Sequence, residues 1–294
     1  GPMHIATLLC NPEEPCIDRA TVEALRNAWG GGDAVWLAPG IAAEFGIEAV
    51  PANRWDVWQS LQARGIDLVV TPAEGRRKRL LIADMDSTMI RQECIDELAE
   101  VAGIGAQVAA ITIRAMNGEL DFEAALRERM ALLAGLPESV IPEILAARIT
   151  ETPGGRVLVA TMRAAGGHAA LVSGGFTAFT EVVAARIGFD EHRANILEIR
   201  DGRLTGVVAE PILGREAKVD ALEEICARLG ITPDAAMAVG DGANDLGMLG
   251  RAGAGVALHA KPHVAAQCDI RINHGDLTAL LHIQGYSRDD FVTA

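Results

Sequence analysis

Three clusters of polar residues contain the side chains that could do chemistry in this 294-residue chain. Carboxylates can act as nucleophile, proton donor or ligand of a hard cation, and a serine hydroxyl with glycine N–H groups can bind an anion. The combination indicates phosphoryl transfer. The clusters are D-M-D-S-T at 84–88, S-G-G at 173–175 and G-D-G-A-N-D at 240–245.

The first cluster places like charges close together. An extended backbone would direct the carboxylates of Asp84 and Asp86 to one side. At about 4 Å, two such charges repel by roughly 4 kcal/mol at an effective dielectric constant of about 20, so a cation lies between them or one carries a proton. Either arrangement suits a nucleophile paired with a proton-exchanging acid. Asp241 and Asp245 add two acids, and an all-oxygen ligand set favours Mg²⁺.

Two further features could bind the phosphate. Ser173 with Gly174 and Gly175 is expected to open a helix, where free N–H groups and a hydroxyl form an anion site. Lys218, at the start of a helix predicted over 217–229, could balance the charge of Asp84 and of the phosphate. Singly, an S-G-G turn is usually a plain loop and a lysine a solvated surface residue. Their order along the chain makes the combination specific.

Each polar cluster follows an apolar tetrad, and the tetrads predict the elements that position the chemistry. Short continuous apolar runs indicate strands buried on both faces, as in a parallel sheet covered by helices. In such sheets the ligand binds beyond the carboxyl ends of the strands. The clusters should therefore meet in one pocket. The tetrads are 80–83, 169–172 and 236–239.

The predicted elements divide the chain into three parts. Residues 1–75 suggest a small α/β domain, and the four basic residues that follow favour a linker over a localisation signal. Residues 93–152 have helical periodicity and would form an inserted cap over the pocket. Residues 76–92 and 153–294 alternate helices and strands, which indicates a doubly wound, Rossmann-like α/β core. Within the first part, strands are expected at 4–9, 34–37 and 67–70, and helices at 17–29 and 54–63.

Composition narrows the functional class. The net charge of −14 argues against a nucleic-acid footprint, which needs surplus Lys and Arg. No apolar stretch approaches the roughly 20 residues that span a bilayer, and no signal peptide is evident. Five scattered cysteines without metal-ligand spacing suggest thiols of a reducing cytoplasm. The spacing of the histidines matches no zinc-binding motif, and the sequence contains no ATP- or NAD-binding motif. Gly1-Pro2 before Met3 is expected to be a cloning remnant. A soluble cytoplasmic protein is predicted.

The clusters resemble the four motifs of the haloacid dehalogenase-like phosphatases, and the similarity extends to the phosphoserine phosphatases among them. D-M-D-S-T matches the first motif, V-S-G-G-F the second, Lys218 the third and G-D-G-A-N-D the fourth. The resemblance covers about residues 79–283. It continues through the cap in I-R-Q-E-C-I-D-E-L-A at 90–99, M-N-G-E-L-D-F at 116–122 and L-R-E-R at 126–129.

This resemblance implies an activity and a set of roles. Asp84 would form an aspartyl-phosphate, while Asp86 protonates the departing serine oxygen and then activates water. Asp84, Asp86 through its backbone carbonyl, and Asp241 would hold Mg²⁺, with Asp245 and Asn244 supporting them. The expected reaction is hydrolysis of O-phospho-L-serine to serine and phosphate, a step of serine biosynthesis.

The resemblance also assigns substrate recognition to the cap. Glu93 would pair with the substrate ammonium and Arg129 would clamp its carboxylate, as a planar bidentate donor can. Met116 and Phe122 would close over the site and exclude water. The alternatives are helix core for Met116 and Phe122, and a solvated helix face for Glu93 and Arg129.

Other functions remain open at this stage. A relative could act on another small phosphomonoester or pass the phosphoryl group to an alcohol such as homoserine. A dehalogenase is disfavoured, because a halide would not need the proton that Asp86 supplies. The first 75 residues could make the chain an amino-acid sensor, or could serve dimerisation or stability. The expected partner is a small-molecule substrate, without nucleic acid or membrane, and a homodimer stays open.

Overall fold

The computed structural model describes residues 1–293, except for the side chain of Met116. The first part of the chain forms a four-stranded antiparallel sheet in the order β2-β3-β1-β4, with two helices. The first helix begins where the Asp18 carboxylate accepts a hydrogen bond from the Thr21 N–H at 2.7 Å. The elements are β1 (His4–Leu9), α1 (Arg19–Ala28), β2 (Val35–Ala38), β3 (Ala42–Ile47), α2 (Arg54–Gln62) and β4 (Asp67–Pro72).

Four helices follow β5 (Leu80–Ala83), the first strand of the parallel sheet. They confirm the helical character predicted for the insertion. Leu126 and Met130 are buried one turn apart, as the 3.6-residue period requires. Two connections join this insertion to the sheet, and they pair with each other: the Arg91 N–H donates to the Thr150 carbonyl and the Thr152 N–H to the Met89 carbonyl, both at 3.0 Å. The elements are β5 (Leu80–Ala83), α3 (Cys94–Val101), α4 (Gly105–Met116), α5 (Phe122–Ala131) and α6 (Val140–Ala147).

The rest of the chain completes a six-stranded parallel sheet in the order β12-β11-β10-β5-β6-β7, flanked by helices, and carries a two-stranded hairpin of β8 and β9. The elements are α7 (Gly155–Ala164), β6 (His168–Phe176), α8 (Thr177–Ile187), β7 (Glu191–Asn195), β8 (Leu197–Arg200), β9 (Arg203–Val208), α9 (Arg215–Leu229), β10 (Ala236–Gly240), α10 (Leu246–Arg251), β11 (Ala254–Leu258), α11 (Pro262–Ala265), β12 (Ile270–Ile272) and α12 (Ala279–Ile283).

The three apolar tetrads lie in the three central strands of this sheet. All of their residues are 0% exposed, so the burial on both faces that the sequence predicted is confirmed. Because β10, β5 and β6 are parallel neighbours, their carboxyl ends meet at one edge. The α/β fold with a parallel core and a small N-terminal unit is therefore the observed one.

The S-G-G segment precedes the next helix, as expected, but it belongs to a strand rather than to the helix terminus. Strand β6 runs on through these residues, and α8 begins at Thr177. The reason is long-range pairing: after a register shift Phe176 pairs with Asn195 of β7, and the Asn195 side-chain amide donates to the Gly174 carbonyl at 2.9 Å. The glycines therefore line the strand end rather than a helix terminus.

The basic run at 76–79 is a docked segment rather than a free linker. Arg76 forms an ion pair with Glu44 at 3.0 Å, and the Arg77 guanidinium stacks over the Tyr286 ring. The Lys78 ammonium donates to the Asp234 carbonyl at 2.9 Å. The boundaries at 75, 92 and 152 stay a prediction. None of the helices in the described part of the chain has the length and apolar composition needed to cross a bilayer.

Candidate active site

A buried lysine lies between two carboxylates at the carboxyl edge of the sheet. The Lys218 Nζ of α9 lies 2.6 Å from Asp245 Oδ1 and 3.0 Å from Asp84 Oδ1, and the lysine is 0% exposed. Burial alone would lower the pKa of Lys218, but the charges of Asp245 and Asp84 outweigh it and raise the pKa above its usual value. The side chain is therefore a permanent cation. The position of Lys218 beside Asp84 agrees with the prediction that this lysine balances the charge of Asp84.

Asp84 is held so that one of its oxygens is fixed. Its Oδ1 also accepts the Met85 N–H at 2.8 Å, whereas Oδ2 receives no hydrogen bond from the residues that the structure describes. Burial and the charge of Asp245 raise the pKa of the Asp84 carboxyl, while the Lys218 ammonium opposes the rise. A carboxylate oxygen without a hydrogen bond, beside a buried cation, is well placed to attack an electrophile.

Asp86 is set up to exchange a proton. Its Oδ1 accepts the Cys94 N–H at 3.2 Å, and burial raises its pKa to about 6. A carboxyl with a pKa near the working pH is an efficient general acid and base. The positive φ of Ser87, 58°, bends the chain after Asp86 so that the Ser87 hydroxyl donates to Glu93 Oε1 at 3.2 Å.

Three carboxylates could hold a divalent cation. One oxygen from each of Asp84, Asp241 and Asp245 lies within 4.8 Å of the others. The three negative charges face one buried ammonium, and burial and Asp245 raise the pKa of Asp241. The oxygen-only donor set and this excess of negative charge fit a hard cation such as Mg²⁺. However, both oxygens of Asp245 are already engaged, Oδ1 by Lys218 and Oδ2 by the N–H groups of Asp241 and Gly242 at 3.1 and 3.2 Å.

The glycines of the second cluster provide room for a ligand. The Gly175 N–H donates to Ser173 Oγ at 2.8 Å. A methyl group at Gly174 would lie 2.9 Å from Phe122 Cζ and 3.3 Å from Asn244 Nδ2, and one at Gly175 would lie 3.1 Å from Asp86 Oδ2. Ser173, Gly174, Asn244 and Phe122 are thus brought together as predicted, with Phe122 lying over the strand end.

Residues from the insertion complete a cavity of about 700 Å³, which is large enough for a small organic ligand. Glu93 and Arg129 from the insertion line it together with Asp84, Asp86 and Asp241 from the strand ends. Arg129 is half-buried, and its Nε donates to the Ala125 carbonyl at 3.1 Å. A solvated helix face for Glu93 and Arg129 is therefore not observed. The Met116 side chain lies outside what the structure describes.

Sequence reasoning missed several residues of this site. Thr88 Oγ1 donates to Asp241 Oδ1 at 3.0 Å, and Lys261 Nζ lies 3.5 Å from Asp241 Oδ2. Asp96 and Arg215 also line the cavity. The signal for Lys261 was present: it follows strand β11, so the strand-end rule applied to the other clusters would have included it.

Gly174→Ala is expected to lower kcat/KM by about 10- to 100-fold, because displacing Phe122 and Asn244 by a fraction of an ångström misplaces the bound substrate. Steady-state kinetics measure the effect. Gly250→Ala is the matched control, since no atom lies within 4 Å of the added methyl group. If Phe122 is the obstruction, the loss caused by Gly174→Ala is smaller in a Phe122→Leu background. An equal loss in both backgrounds would contradict this.

Glu93→Gln is expected to stabilise the metal-free protein at high pH. Burial, with the charges of Asp86 and Asp241, raises the pKa of Glu93 from 4.5 to about 8. Between pH 4.5 and about 8 the carboxyl group is therefore protonated in the folded chain and ionised in the unfolded chain. The stability that this proton contributes is fully present below pH 4.5 and is lost as the pH rises through about 8. We expect Glu93→Gln to gain about 1–2 kcal/mol at pH 9 and nothing at pH 4.5. Thermal unfolding at both pH values measures this gain in stability, and Glu100→Gln, at an exposed position, is the control. An equal gain at both pH values would contradict the prediction.

Comparison with known proteins agrees with this geometry. Residues 81–250 match the family model of the haloacid dehalogenase-like hydrolases. A phosphoserine phosphatase of Polaromonas sp. is 47% identical over 210 residues, 70% of this chain and 89% of the relative. One of Streptomyces coelicolor is 40% identical over 260 residues, 87% of this chain but only 63% of the relative's length.

A solved structure extends the match to 96% of the chain. A haloacid dehalogenase family hydrolase from Salmonella enterica serovar Typhi has a TM-score of 0.83 at 31% identity, covering 96% of this chain and 98% of that one. A substrate-bound phosphoserine phosphatase complex has a TM-score of 0.66 at 39% identity, covering 70% and 98%. The chain therefore belongs to the haloacid dehalogenase-like hydrolase family, within its phosphoserine phosphatase group.

Proposed function

We propose that this protein hydrolyses O-phospho-L-serine to serine and phosphate, with Mg²⁺ and through an aspartyl-phosphate on Asp84. The observation that carries the proposal is a single cavity lined by Asp84, Asp86, Glu93 and Arg129, with the buried Lys218 ammonium 3.0 Å from Asp84. Asp84 with its neighbouring lysine suits a phosphate, and Glu93 with Arg129 suits a zwitterion. The names of the phosphoserine phosphatase relatives support the same substrate.

The chain's own groups divide the chemistry into two steps. Asp84 Oδ2 attacks phosphorus while Asp86 donates its proton to the departing serine oxygen. Asp86, now ionised, takes a proton from the water that cleaves the acyl phosphate, and it is thereby restored. Lys218 offsets the charge of Asp84 and of the phosphoryl oxygens throughout. Ser173, Gly174 and Asn244 would hold the phosphoryl oxygens.

The metal would be held by Asp84, Asp241 and the backbone carbonyl of Asp86. When bound, Mg²⁺ would reduce the repulsion between the incoming phosphate dianion and the three carboxylates. Asp245 has a supporting role in this proposal, because its oxygens are taken up by Lys218 and two backbone N–H groups. Thr88 orients Asp241 through its hydroxyl.

Selectivity for the amino acid would come from the insertion. Glu93 is uncharged at neutral pH in the free site because of its raised pKa, and an incoming ammonium would favour its ionised form. Arg129 would bind the carboxylate, and Met116 and Phe122 would exclude water. The contribution to serine biosynthesis follows from the substrate.

Phosphate release from a panel of substrates tests the proposal, with and without Mg²⁺. We expect phosphoserine to be preferred over phosphothreonine and phosphoglycolate, activity to vanish without the metal, and added homoserine to capture no phosphoryl group. Arg129→Ala is expected to raise KM for phosphoserine by about 100-fold and for an aryl phosphate by less than about threefold, because only phosphoserine has a carboxylate. Exposed Arg127→Ala, on the same helix, is the control. Equal losses on both substrates would overturn the role of Arg129.

The cellular location and the role of residues 1–75 are proposed from the sequence. A cytoplasmic location agrees with the five cysteines, all of which are free thiols in the structure. We also retain the α/β unit of residues 1–75 as a regulatory or dimerisation domain. Sedimentation of the full chain would decide the oligomeric state.

A further inference from the structure

A second cavity, of about 320 Å³, lies where the N-terminal unit, the sheet core and the connections to the insertion meet. It is separate from the active-site cavity and has no part in the proposed reaction. Its charged and polar walls come from all three parts of the chain. They include Glu13, Arg91, Thr152, His259, His274 and Asp276.

The walls of this junction cavity carry opposite charges. The exposed Arg91 guanidinium makes no hydrogen bond or ion pair with any residue in the described part of the chain, and the same holds for the Glu13 carboxylate. Asp276 uses only Oδ1, which accepts from the N–H and the hydroxyl of Thr278. One cationic and two anionic groups are thus available to a ligand.

The cavity is rigidly built. The buried Asp67 carboxylate of the N-terminal unit accepts the N–H groups of Asn273, His274 and Gly275 at 2.9–3.0 Å, which fixes the loop that forms one wall. His259 Nε2 donates to the Gly275 carbonyl at 2.7 Å, so its Nδ1 is left as an acceptor when the ring is neutral. A preformed cavity with a few fixed polar groups is typical of a ligand site.

Backbone strain is concentrated at the same place. Within residues 1–293, three non-glycine residues have positive φ: Ser87 at 58°, Asp201 at 52° and His259 at 45°. Asp201 lies in the β8–β9 hairpin turn, whereas Ser87 and His259 both line the junction cavity. Such strain persists where the surrounding structure over-determines the conformation, and it is common at ligand-binding sites.

We propose that the junction cavity binds a small zwitterionic α-amino acid, whose carboxylate pairs with Arg91 and whose ammonium pairs with Glu13 and Asp276. A volume of about 320 Å³ is at the lower end for ligand sites and is sufficient for a small amino acid. A bound ligand would contact both connections to the insertion, through Arg91 and Thr152. It would also contact Ser87, whose hydroxyl binds Glu93 of the active site.

Calorimetric titration of the full chain tests this site. Because serine would also enter the active site, the titrations use a Glu93→Gln/Arg129→Ala background in which that binding is weakened. We expect L-serine and glycine to bind with one equivalent. Ethanolamine, which lacks the carboxylate, and propionate, which lacks the ammonium, should bind at least about tenfold more weakly.

Variants of the wall decide between this site and the active site. Arg91→Ala in the same background should weaken binding of L-serine by about tenfold or more, whereas Arg200→Ala, an exposed arginine on β8, should leave it unchanged. Glu13→Gln, at an exposed position, provides a second test should Arg91→Ala fail to fold. Absence of amino-acid binding, equal binding of propionate, or unchanged binding in both wall variants would overturn the proposal. None of these results bears on phosphate release, which tests the phosphatase separately.

Discussion

Asp84→Asn is expected to lower kcat by about 10⁵-fold, because the amide cannot attack phosphorus and the other carboxylate beside Lys218, that of Asp245, has both oxygens engaged in hydrogen bonds. The fold should persist. Asparagine matches aspartate in volume, and it removes one of three crowded carboxylates at a site where burial already disfavours ionisation. Steady-state kinetics measure the loss of kcat, and thermal unfolding measures whether the fold persists.

Trapping of the intermediate provides the decisive comparison. Acid quenching of the wild-type protein with ³²P-labelled phosphoserine should leave label on the protein, and Asp84→Asn should leave none. Asp220→Asn makes the same chemical change at an exposed position on α9, two residues from Lys218, and should keep both label and turnover. Label on the Asp84→Asn protein would show that another residue is the nucleophile.

Lys218→Met should cause the second largest effect, with turnover reduced by about 10³-fold or more and the free energy of unfolding reduced by about 3 kcal/mol. Removing the fully buried ammonium leaves Asp84, Asp241 and Asp245 without their internal counter-charge. The carboxyl pKa values of Asp84 and Asp241, already raised in the folded state, should then rise further. A raised folded-state pKa means that stability is lost as the pH increases, so the deficit should be larger at pH 8 than at pH 5.

Two comparisons separate charge from packing in this variant. Adding Asp245→Asn to Lys218→Met should recover part of the stability, because one uncompensated charge is removed, but it should not recover turnover. Denaturant unfolding at both pH values, with and without Mg²⁺, measures the first effect. A stability deficit that is independent of pH and unchanged by the second substitution would mean that Lys218 acts through its volume alone.

The central sheet and the position of the site could be predicted from local patterns. A tetrad such as Leu80–Ala83 is continuously apolar, which is typical of a parallel strand covered by helices on both faces. The polar residues that follow must then lie at the carboxyl edge, and Asp84, Ser173 and Asp241 do. The same patterns did not reveal β3, where Glu44 and Gly46 interrupt the apolar residues, or β7, whose residues are mostly half-buried.

Long-range contacts account for the features that local patterns missed. The S-G-G segment was expected at a helix terminus, but it lies in strand β6 because β7 offers hydrogen-bond partners beyond the glycines. The basic run was expected to be a linker, but Glu44, Asp234 and Tyr286 bind it from distant parts of the chain. Neither outcome follows from residues close in sequence.

The sequence by itself determined the chemistry and its place: which side chains could act, and that strand order would bring them to one edge. It could do so because strand burial and side-chain type are local properties. Only the tertiary structure decided how these groups are tuned. The raised pKa values of Asp86 and Glu93, the engagement of both Asp245 oxygens and the junction cavity around Arg91 arise from burial and charges contributed by segments far apart along the chain. Such effects depend on distance in space, which the order of residues does not specify.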